Sequence, residues 1–551
     1  MSEEASAGAS AKALGAYYTD AQVADFLVRW AIRGAGDTVL DPAFGGGVFL
    51  RSACKRLRQL DGDPAAQVHG VEIDAAVHSR IAEKLADEFG VDAGNLRQGD
   101  FFTGTAALVD VVVGNPPFIR YQRFTGDLRK RALAKAGKHG IPLSGLSSSW
   151  LPFLLHSISQ LRPDGRLAMV IPVELTHAGY ARPALEILSR CFGAVTILTF
   201  RKKLFPDLSE DTLLLLAERK GEKSARFRWR DLAHAGELAE LAGAPLTGTR
   251  SLDAQLLAKG EERIIEQFIS KKVRELYREL RASKLASRLG EQASIGIGYV
   301  TGANDFFHLS PELARSWRIP PRFLRPAVRR GRSLAGARFT EADWRRALGG
   351  GETGYLLLVR PSDAVPEAVA KYLAHGTAEG VDQAYKCRVR TPWYSVPHVH
   401  QPDAFLSYMS GSAPHLVANH ARAVAPNSLL GLRMRPESPL SADGVAGLWH
   451  TSLTRLSTEL AGHPLGGGML KLEPAEAESV LIAIPGTTRK LASLALALDP
   501  ILREKGEAAA AEYSDEAVLR RELGLAKSDC TLLREAALLL RERRAGRSGG
   551  A

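Results

Sequence analysis

The chain has 551 residues, 45% hydrophobic and 24% charged, enough to bury cores in two or three domains. Lysine and arginine outnumber aspartate and glutamate by 72 to 61, a net charge of +11 that suits a polyanionic partner as well as a plain solvated basic surface. No apolar run reaches the roughly 20 residues of a membrane helix, Met1 to Lys12 lacks the apolar stretch of a signal peptide, and Cys54, Cys191, Cys387 and Cys530 are too scattered for a zinc site or a disulfide framework. A cytoplasmic protein without membrane contact or metal is expected.

From Asp37 to Ala217, short apolar runs alternate with longer amphipathic ones, which is the rhythm of an α/β, doubly wound Rossmann-like sheet. Strands are expected at Val39–Leu40, Val68–Ile73, Val109–Val113, Leu167–Ile171, Val195–Phe200 and Thr212–Ala217, and helices at Val48–Arg58, Ala75–Glu88, Ser148–Leu161 and Pro183–Arg190. After Gly221 the rhythm changes. The charged stretch from Leu256 to Leu289 reads as one long helix bridging two domains, and residues 290–485, rich in Gly, Pro, Arg and aromatics, read as a mixed domain with irregular loops. Arg489 to Arg544, with Ala508–Ala511 inside it, is helical by composition. The expected division is a catalytic domain over 1–240, a helical linker over 241–289, a mixed domain over 290–485 and a helical segment over 486–551, with no internal repeat.

Open sheets of this kind bind ligands beyond the carboxyl ends of their strands, so the residues just after each strand carry the argument. The first strand runs into Asp41-Pro42-Ala43-Phe44-Gly45-Gly46-Gly47 and then a helix. Glycines let backbone approach a ligand, and a helix N-terminus offers N–H groups to an anion such as a carboxylate; a connecting turn or a dinucleotide loop reads the same way. The second strand ends at Glu72-Ile73-Asp74, where a carboxylate can hold ribose hydroxyls and Ile73 can pack on a base, which points to a nucleoside without saying which. Asp100-Phe101 in the next loop places another carboxylate near an adenine amine, or is a simple turn.

The decisive element is Val109–Val113 followed by Gly114-Asn115-Pro116-Pro117-Phe118. Consecutive prolines fix φ and remove two donors, leaving a rigid loop whose carbonyl oxygens can accept hydrogen bonds. Such acceptors suit an exocyclic amine whose lone pair must be drawn out of conjugation with its ring, with positioning and electrostatics carrying the catalysis. Phe118 is placed to stack on the base. As a polar turn with a core aromatic, the tetrapeptide would not need to follow a glycine loop and an acidic strand end in this order.

On these residues the chain resembles the class I S-adenosylmethionine-dependent DNA adenine-N6 methyltransferases of restriction-modification type with the gamma order of motifs. The resemblance covers about residues 12 to 220. Gly15-Ala16-Tyr17-Tyr18-Thr19 is similar to the leading motif, Asp41 and Ala43 with Gly45 and Gly47 to the first-strand motif, Glu72 and Ile73 to the ribose-binding station, Asp100-Phe101 to the adenine-binding pair and Asn115 to Phe118 to the catalytic motif. Leu204-Phe205-Pro206-Asp207 resembles the motif whose aromatic meets the other face of the base; Phe205 could equally be a core aromatic. The resemblance implies S-adenosylmethionine as cofactor, double-stranded DNA as substrate, a flipped-out adenine between Phe118 and Phe205, and target recognition in the C-terminal region. A separate restriction endonuclease is the partner it leaves room for. Tyr385 to Tyr394 and Gly466 to Leu472 are similar to pieces of such recognition domains. The basic stretches Arg120 to Lys138 and Arg322 to Arg332 suit phosphate contacts, and Arg120, Arg123, Arg388 and Arg390 are the DNA-binding candidates.

Other chemistries fit less well. A cytosine-C5 enzyme usually needs a cysteine after proline, and here the preceding residues are Ala53, Arg190, Lys386 and Asp529. A protein-glutamine methyltransferase shares the Asn-Pro-Pro-aromatic logic but does not need so long a basic, loop-rich C-terminal region, while an RNA adenine methylase stays open. A non-catalytic specificity subunit would not need the intact tetrapeptide. A fused nuclease is not expected, because the leading motif begins near Gly15 and no metal-carboxylate set follows.

Overall fold

A computed structural model of the chain describes residues 19–103, 107–119, 124–137, 148–176, 179–205, 211–241, 246–486 and 491–546. The chain forms two compact units, Met1–Gln267 with Leu465–Gly467 and Gly546–Ala551, and Phe268–Pro464 with Gly468–Ala545. They part beyond the boundary expected near residue 240.

The first unit is built on a nine-stranded sheet in the order β3-β2-β1-β4-β5-β7-β6-β8-β9. Its strands are β1 (Val39–Asp41), β2 (Val68–Glu72), β3 (Leu96–Gln98), β4 (Val109–Gly114), β5 (Leu161–Pro172), β6 (Phe192–Phe200), β7 (Thr212–Lys220), β8 (Arg226–Leu232) and β9 (Arg250–Asp253). The strands from β3 to β5 run parallel, and β7 lies antiparallel between β5 and β6. Val39 faces Val68 on one side and Val111 on the other, so the centre of the sheet is apolar on both faces. Val111 to Val113 and Leu167 to Ile171 are fully buried, each of these side chains other than Ala168 contributing about 1.5–3 kcal/mol. The strand order reverses between β1 and β4, which brings the loop after Asp41 beside the loop after Gly114.

Helices α1 (Ala21–Ala31), α2 (Val48–Gln59), α3 (Ala75–Phe89), α4 (Gly126–Gly137), α5 (Trp150–Ser159) and α6 (Arg182–Cys191) accompany this sheet. Local chemistry sets their starts. Asp20 accepts from Gln22 N–H at 2.8 Å to open α1, and Asp74 accepts from the N–H groups of Ala76 and Val77 at 2.9 and 3.1 Å to open α3. Helix α1 packs on α2 and across β4 and β5.

The second unit holds a five-stranded sheet in the order Ala293–Ile297, Leu429–Met434, Ala404–Ser407, Leu416–Asn419 and Arg338–Phe339. A small sheet of His308–Leu309, Tyr355–Leu357 and Leu324–Pro326 lies in the same unit, with a cluster in which Phe306 stacks on Tyr372 at 4.6 Å. The C-terminal region is helical over Leu491–Ser514 and Lys527–Gly546, joined to the rest of the unit by the buried pair of Arg544 with Glu459 at 2.9 Å.

The single helix expected over Leu256 to Leu289 does not form. A helix over Ala254–Lys259 stops at Gly260, which takes a φ of +74°, and a new one over Lys271–Ala282 starts at Ser270, whose hydroxyl accepts from Val273 N–H. A strand, Ala286–Arg288, follows. Strands β8 and β9 and helix α4 also add to the expected elements.

Candidate active site

Strand β1 delivers Asp41 into the interior at 1% exposure, where its Oδ1 accepts from Ala43 N–H at 3.0 Å and tightens the turn. Burial pushes its carboxyl up to about 8, against the Ala43 hydrogen bond and with the negative charge of Glu72 adding to the rise. The glycines that follow have two different reasons. Gly45 takes a φ of +46° and a Cβ there would meet nothing within 4 Å, so the loop borders open space; at Gly47, with φ +75°, a Cβ would sit 2.6 Å from Ile81 Cγ2. Gly47 opens α2 without a side-chain cap, leaving the N–H groups of the first turn to a ligand or water.

Glu72 ends β2 and ties two loops together. Its Oε2 accepts from Gly45 N–H and its Oε1 from Asp74 N–H, both at 2.9 Å, and each oxygen keeps a lone pair for a ligand hydroxyl. Ile73 beside it is 43% exposed, an apolar surface left for a flat ring. Asp100 is already engaged: it accepts from Phe102 N–H at 3.0 Å and from Arg131 Nε at 2.7 Å. Phe101 is buried, stacked on Phe153 at 5.5 Å and 4.6 Å from the His156 ring. Arg131, part of a stretch set aside for phosphate contacts, is thus the ion-pair partner of Asp100.

The catalytic-loop candidate follows β4. A Cβ on Gly114 would lie 2.9 Å from Asp41 Oδ1 and 3.2 Å from Pro42 Cδ, so glycine lets the two strand ends close together. Asn115 Nδ2 donates to Thr19 Oγ1 at 3.2 Å, which turns the amide so that Oδ1 is the remaining acceptor. That oxygen is buried and nothing among the described residues donates to it. Thr19, expected to serve the cofactor, therefore also orients Asn115.

Ser149 clamps the far end of this loop. Its Oγ donates to the Pro117 carbonyl and accepts from Ile119 N–H at 2.8 Å, and its own N–H donates to the Ile119 carbonyl at 3.0 Å. Phe118, 9% exposed, is held between these two anchored residues. Sequence reasoning missed Ser149, since a serine before an apolar helix reads as an N-cap; here the side chain makes no cap bond and serves the loop. The next residue, Trp150, donates from Nε1 to the Tyr180 hydroxyl at 3.2 Å, and that hydroxyl donates to Glu174. Burial, then the charge of Glu174, raises the phenol far above its ordinary range.

Of the remaining candidates, Phe205 is buried at 6% exposure beyond the end of β6. Gly15 to Tyr18, including Tyr17, with Arg120, Arg123, Pro206 and Asp207, lie outside the described residues. In the second unit Arg388 is exposed, whereas Arg390 donates to the carbonyls of Thr301 and Val300 at 2.7 and 2.5 Å. Among the described residues no cluster of His, Cys, Asp and Glu could hold a metal ion, and no helix is long and apolar enough to cross a membrane. The site thus combines a glycine-lined strand-end cradle with two acidic side chains and a rigid loop offering a buried, free amide oxygen.

The chain is similar in sequence to known proteins over both halves. Residues 4–226 match the family model described as N-6 DNA Methylase, and residues 261–519 match the C-terminal domain of Type II methyltransferase M.Eco57I. Type II methyltransferase M.XamI of Xanthomonas campestris pv. amaranthicola is 25% identical over 491 residues, 86% of each chain. Type II methyltransferase M.AccI of Acinetobacter calcoaceticus is 21% identical over 422 residues, 74% of each. In fold, the chain is similar to the Type IIL restriction-modification enzyme MmeI, solved in complex with DNA, at a TM-score of 0.51 and 14% identity over 92% of this chain and 73% of that one. With both halves matched in order, residues 4–226 carry the region of the N-6 DNA methylase family and residues 261–519 that of the type II C-terminal domain, and the chain is an adenine-specific DNA methyltransferase akin to the type II enzymes.

Proposed function

We propose that the chain transfers a methyl group from S-adenosylmethionine to N6 of an adenine at a specific site in double-stranded DNA, as the modification enzyme of a restriction-modification or phage-defence system with a separate endonuclease. The observation that carries this reading is the buried, unpartnered Oδ1 of Asn115. A buried acceptor left unsatisfied is costly, by about 1–3 kcal/mol, and an N–H of the substrate amine satisfies it. The Pro116 carbonyl, bonded to nothing among the described residues, is the second acceptor.

The donor set fits the cofactor. Glu72 has lone pairs left for the ribose hydroxyls, Ile73 has an exposed apolar face for the adenine, Asp100 stands at the base edge, and Asp41, Ala43, Gly45 and Gly47 with the start of α2 surround the methionine end. Bound there, S-adenosylmethionine supplies an electrophilic methyl group. The protein's own part is to accept the amine hydrogens at Asn115 and Pro116, to hold the nitrogen lone pair out of the ring and to fix the base. An adenine N6 lies inside the duplex stack, so the nucleotide must leave it, with Phe118 and Phe205 as the stacking surfaces. Residues 290–485 are the region we assign to target recognition.

The test incubates the purified chain with labelled S-adenosylmethionine and equal masses of duplex DNA, RNA and protein. Label recovered as N6-methyladenine from the duplex supports the reading, and label found only on RNA or on protein glutamine refutes it.

A further inference from the structure

A cavity of about 230 Å³ lies at the edge of the five-stranded sheet of the second unit, between the strands Ala293–Ile297 and Leu429–Met434 and the loop around His398 to Pro402. Its floor is bare backbone. Gly296 and Gly431 stand opposite each other in the antiparallel pair, so their side-chain positions fall together on one face. Gly298 and Gly431 are explained by packing, since a Cβ would lie 2.2 Å from the Ala425 carbonyl oxygen at the first and 3.1 Å from Pro402 Cβ at the second. Gly296 is not: a Cβ there meets nothing within 4 Å, and its backbone is not in the left-handed region. A glycine inside a strand weakens it and marks a place where a ligand or another backbone comes close.

The walls carry polar side chains with nothing to bind. Arg433, His398, His400 and Gln401 are exposed, and among the described residues none of these side chains has a hydrogen-bond or ion-pair partner. Among the described residues no carboxylate lines the cavity, and the adjacent Asp403 is occupied in accepting Met434 N–H at 2.8 Å. His398 holds a φ of +55°, a conformation a histidine seldom adopts and one that gathers at functional sites.

We infer that this groove grips duplex DNA, with Arg433 and the histidines on the phosphate backbone and the Gln401 amide at a base edge. This rests on the reading of the chain as a DNA methyltransferase, and it names the surface through which the C-terminal unit holds its substrate. A guanidinium and imidazole N–H groups suit phosphate, an amide suits the paired donor and acceptor of an adenine edge, and a glycine floor admits a sugar-phosphate strand that side chains would exclude.

The test measures binding of the full-length chain, by fluorescence anisotropy across a salt series, to a duplex containing the sequence it methylates and to a scrambled duplex of equal length. Gly296→Leu fills the groove and is expected to weaken binding about tenfold or more. Arg433→Ala is expected to lower the slope of log affinity against log salt by about 1. Both should keep wild-type melting and S-adenosylmethionine affinity. Where Gly296→Leu melts early, Arg433→Ala decides alone. Loss on both duplexes marks a backbone grip and loss on the methylated sequence alone marks base readout; each sustains the groove. Variants that bind both duplexes as wild type does, with unchanged slope, overturn it. A wild-type chain that binds neither duplex overturns the DNA reading itself.

Discussion

Asp41→Asn tests the electrostatics of the proposed cofactor cradle before any ligand is added. The Asp41 carboxyl is 1% exposed and moves from an ordinary 3.8 to about 8, chiefly through burial. The unfolded chain releases this proton near pH 4 and the folded one near 8, so stability from this group is fully present below the first value and falls as pH rises between the two. At about 1.4 kcal/mol per unit, the loss is about 4 kcal/mol from pH 5 to 8 and about 6 kcal/mol over the whole window. Asparagine keeps an oxygen for Ala43 N–H, places N–H where the carboxyl hydrogen stood and does not titrate. The melting temperature of the first unit in Asp41→Asn should therefore climb relative to wild type by roughly 10 °C between pH 5 and 8. Taking the difference cancels groups common to both proteins. A constant difference across that range refutes the claim that Asp41 is held protonated. The same geometry predicts that a cation-bearing cofactor draws the proton off, so calorimetry in buffers of different ionisation enthalpy at pH 7 should register proton release on binding, and the variant should not show it.

Ser149→Ala removes the donor to Pro117 and the acceptor for Ile119 N–H, and it should lower turnover about 10- to 100-fold through a misplaced loop, with S-adenosylmethionine affinity unchanged. Equal losses in affinity and turnover would mean that Ser149 supports the fold and not the loop. Glu72→Gln sets an amide against one of two backbone N–H groups that both need an acceptor, so cofactor affinity read by calorimetry should fall at least about tenfold. An unchanged affinity would remove Glu72 from the cradle. Phe118→Ala should cost about one to two powers of ten in transfer from lost base stacking and Phe118→Tyr less, read by single-turnover methylation; equal rates for Phe118→Ala and wild type would end the stacking role.

Strand β4 was legible because a strand buried on both faces is a nearly continuous apolar run; Val109–Val113 and Val68–Ile73 fall within a residue of β4 and β2, whereas the three-residue β3 was not expected and β5 starts six residues before the expected Leu167. Strand β8 was legible and missed, for Arg226-Phe227-Arg228-Trp229 alternates exposed and buried residues with period two. The short strands of the second unit, such as His308–Leu309 and Arg338–Phe339, span too few residues to show any period. At the site, the positions of Asp41, Glu72 and Asn115 could be read because the first two end a strand and the third directly follows one. Ser149 and the pairing of Arg131 with Asp100 could not, since both depend on which segments lie side by side after folding. Arg390, expected at the DNA, gives two of its five donors to backbone carbonyls, a pairing that also depends on the fold.

Asn115→Ala tests the central claim most directly, with two readings taken on one preparation: S-adenosylmethionine affinity by calorimetry and the single-turnover rate of N6-methyladenine formation in duplex DNA. If the free Oδ1 is the acceptor we propose for the amine as the reaction proceeds, the affinity should stay within about twofold of wild type while the rate falls by about three or more powers of ten. A rate near that of wild type, with affinity intact, would contradict the account.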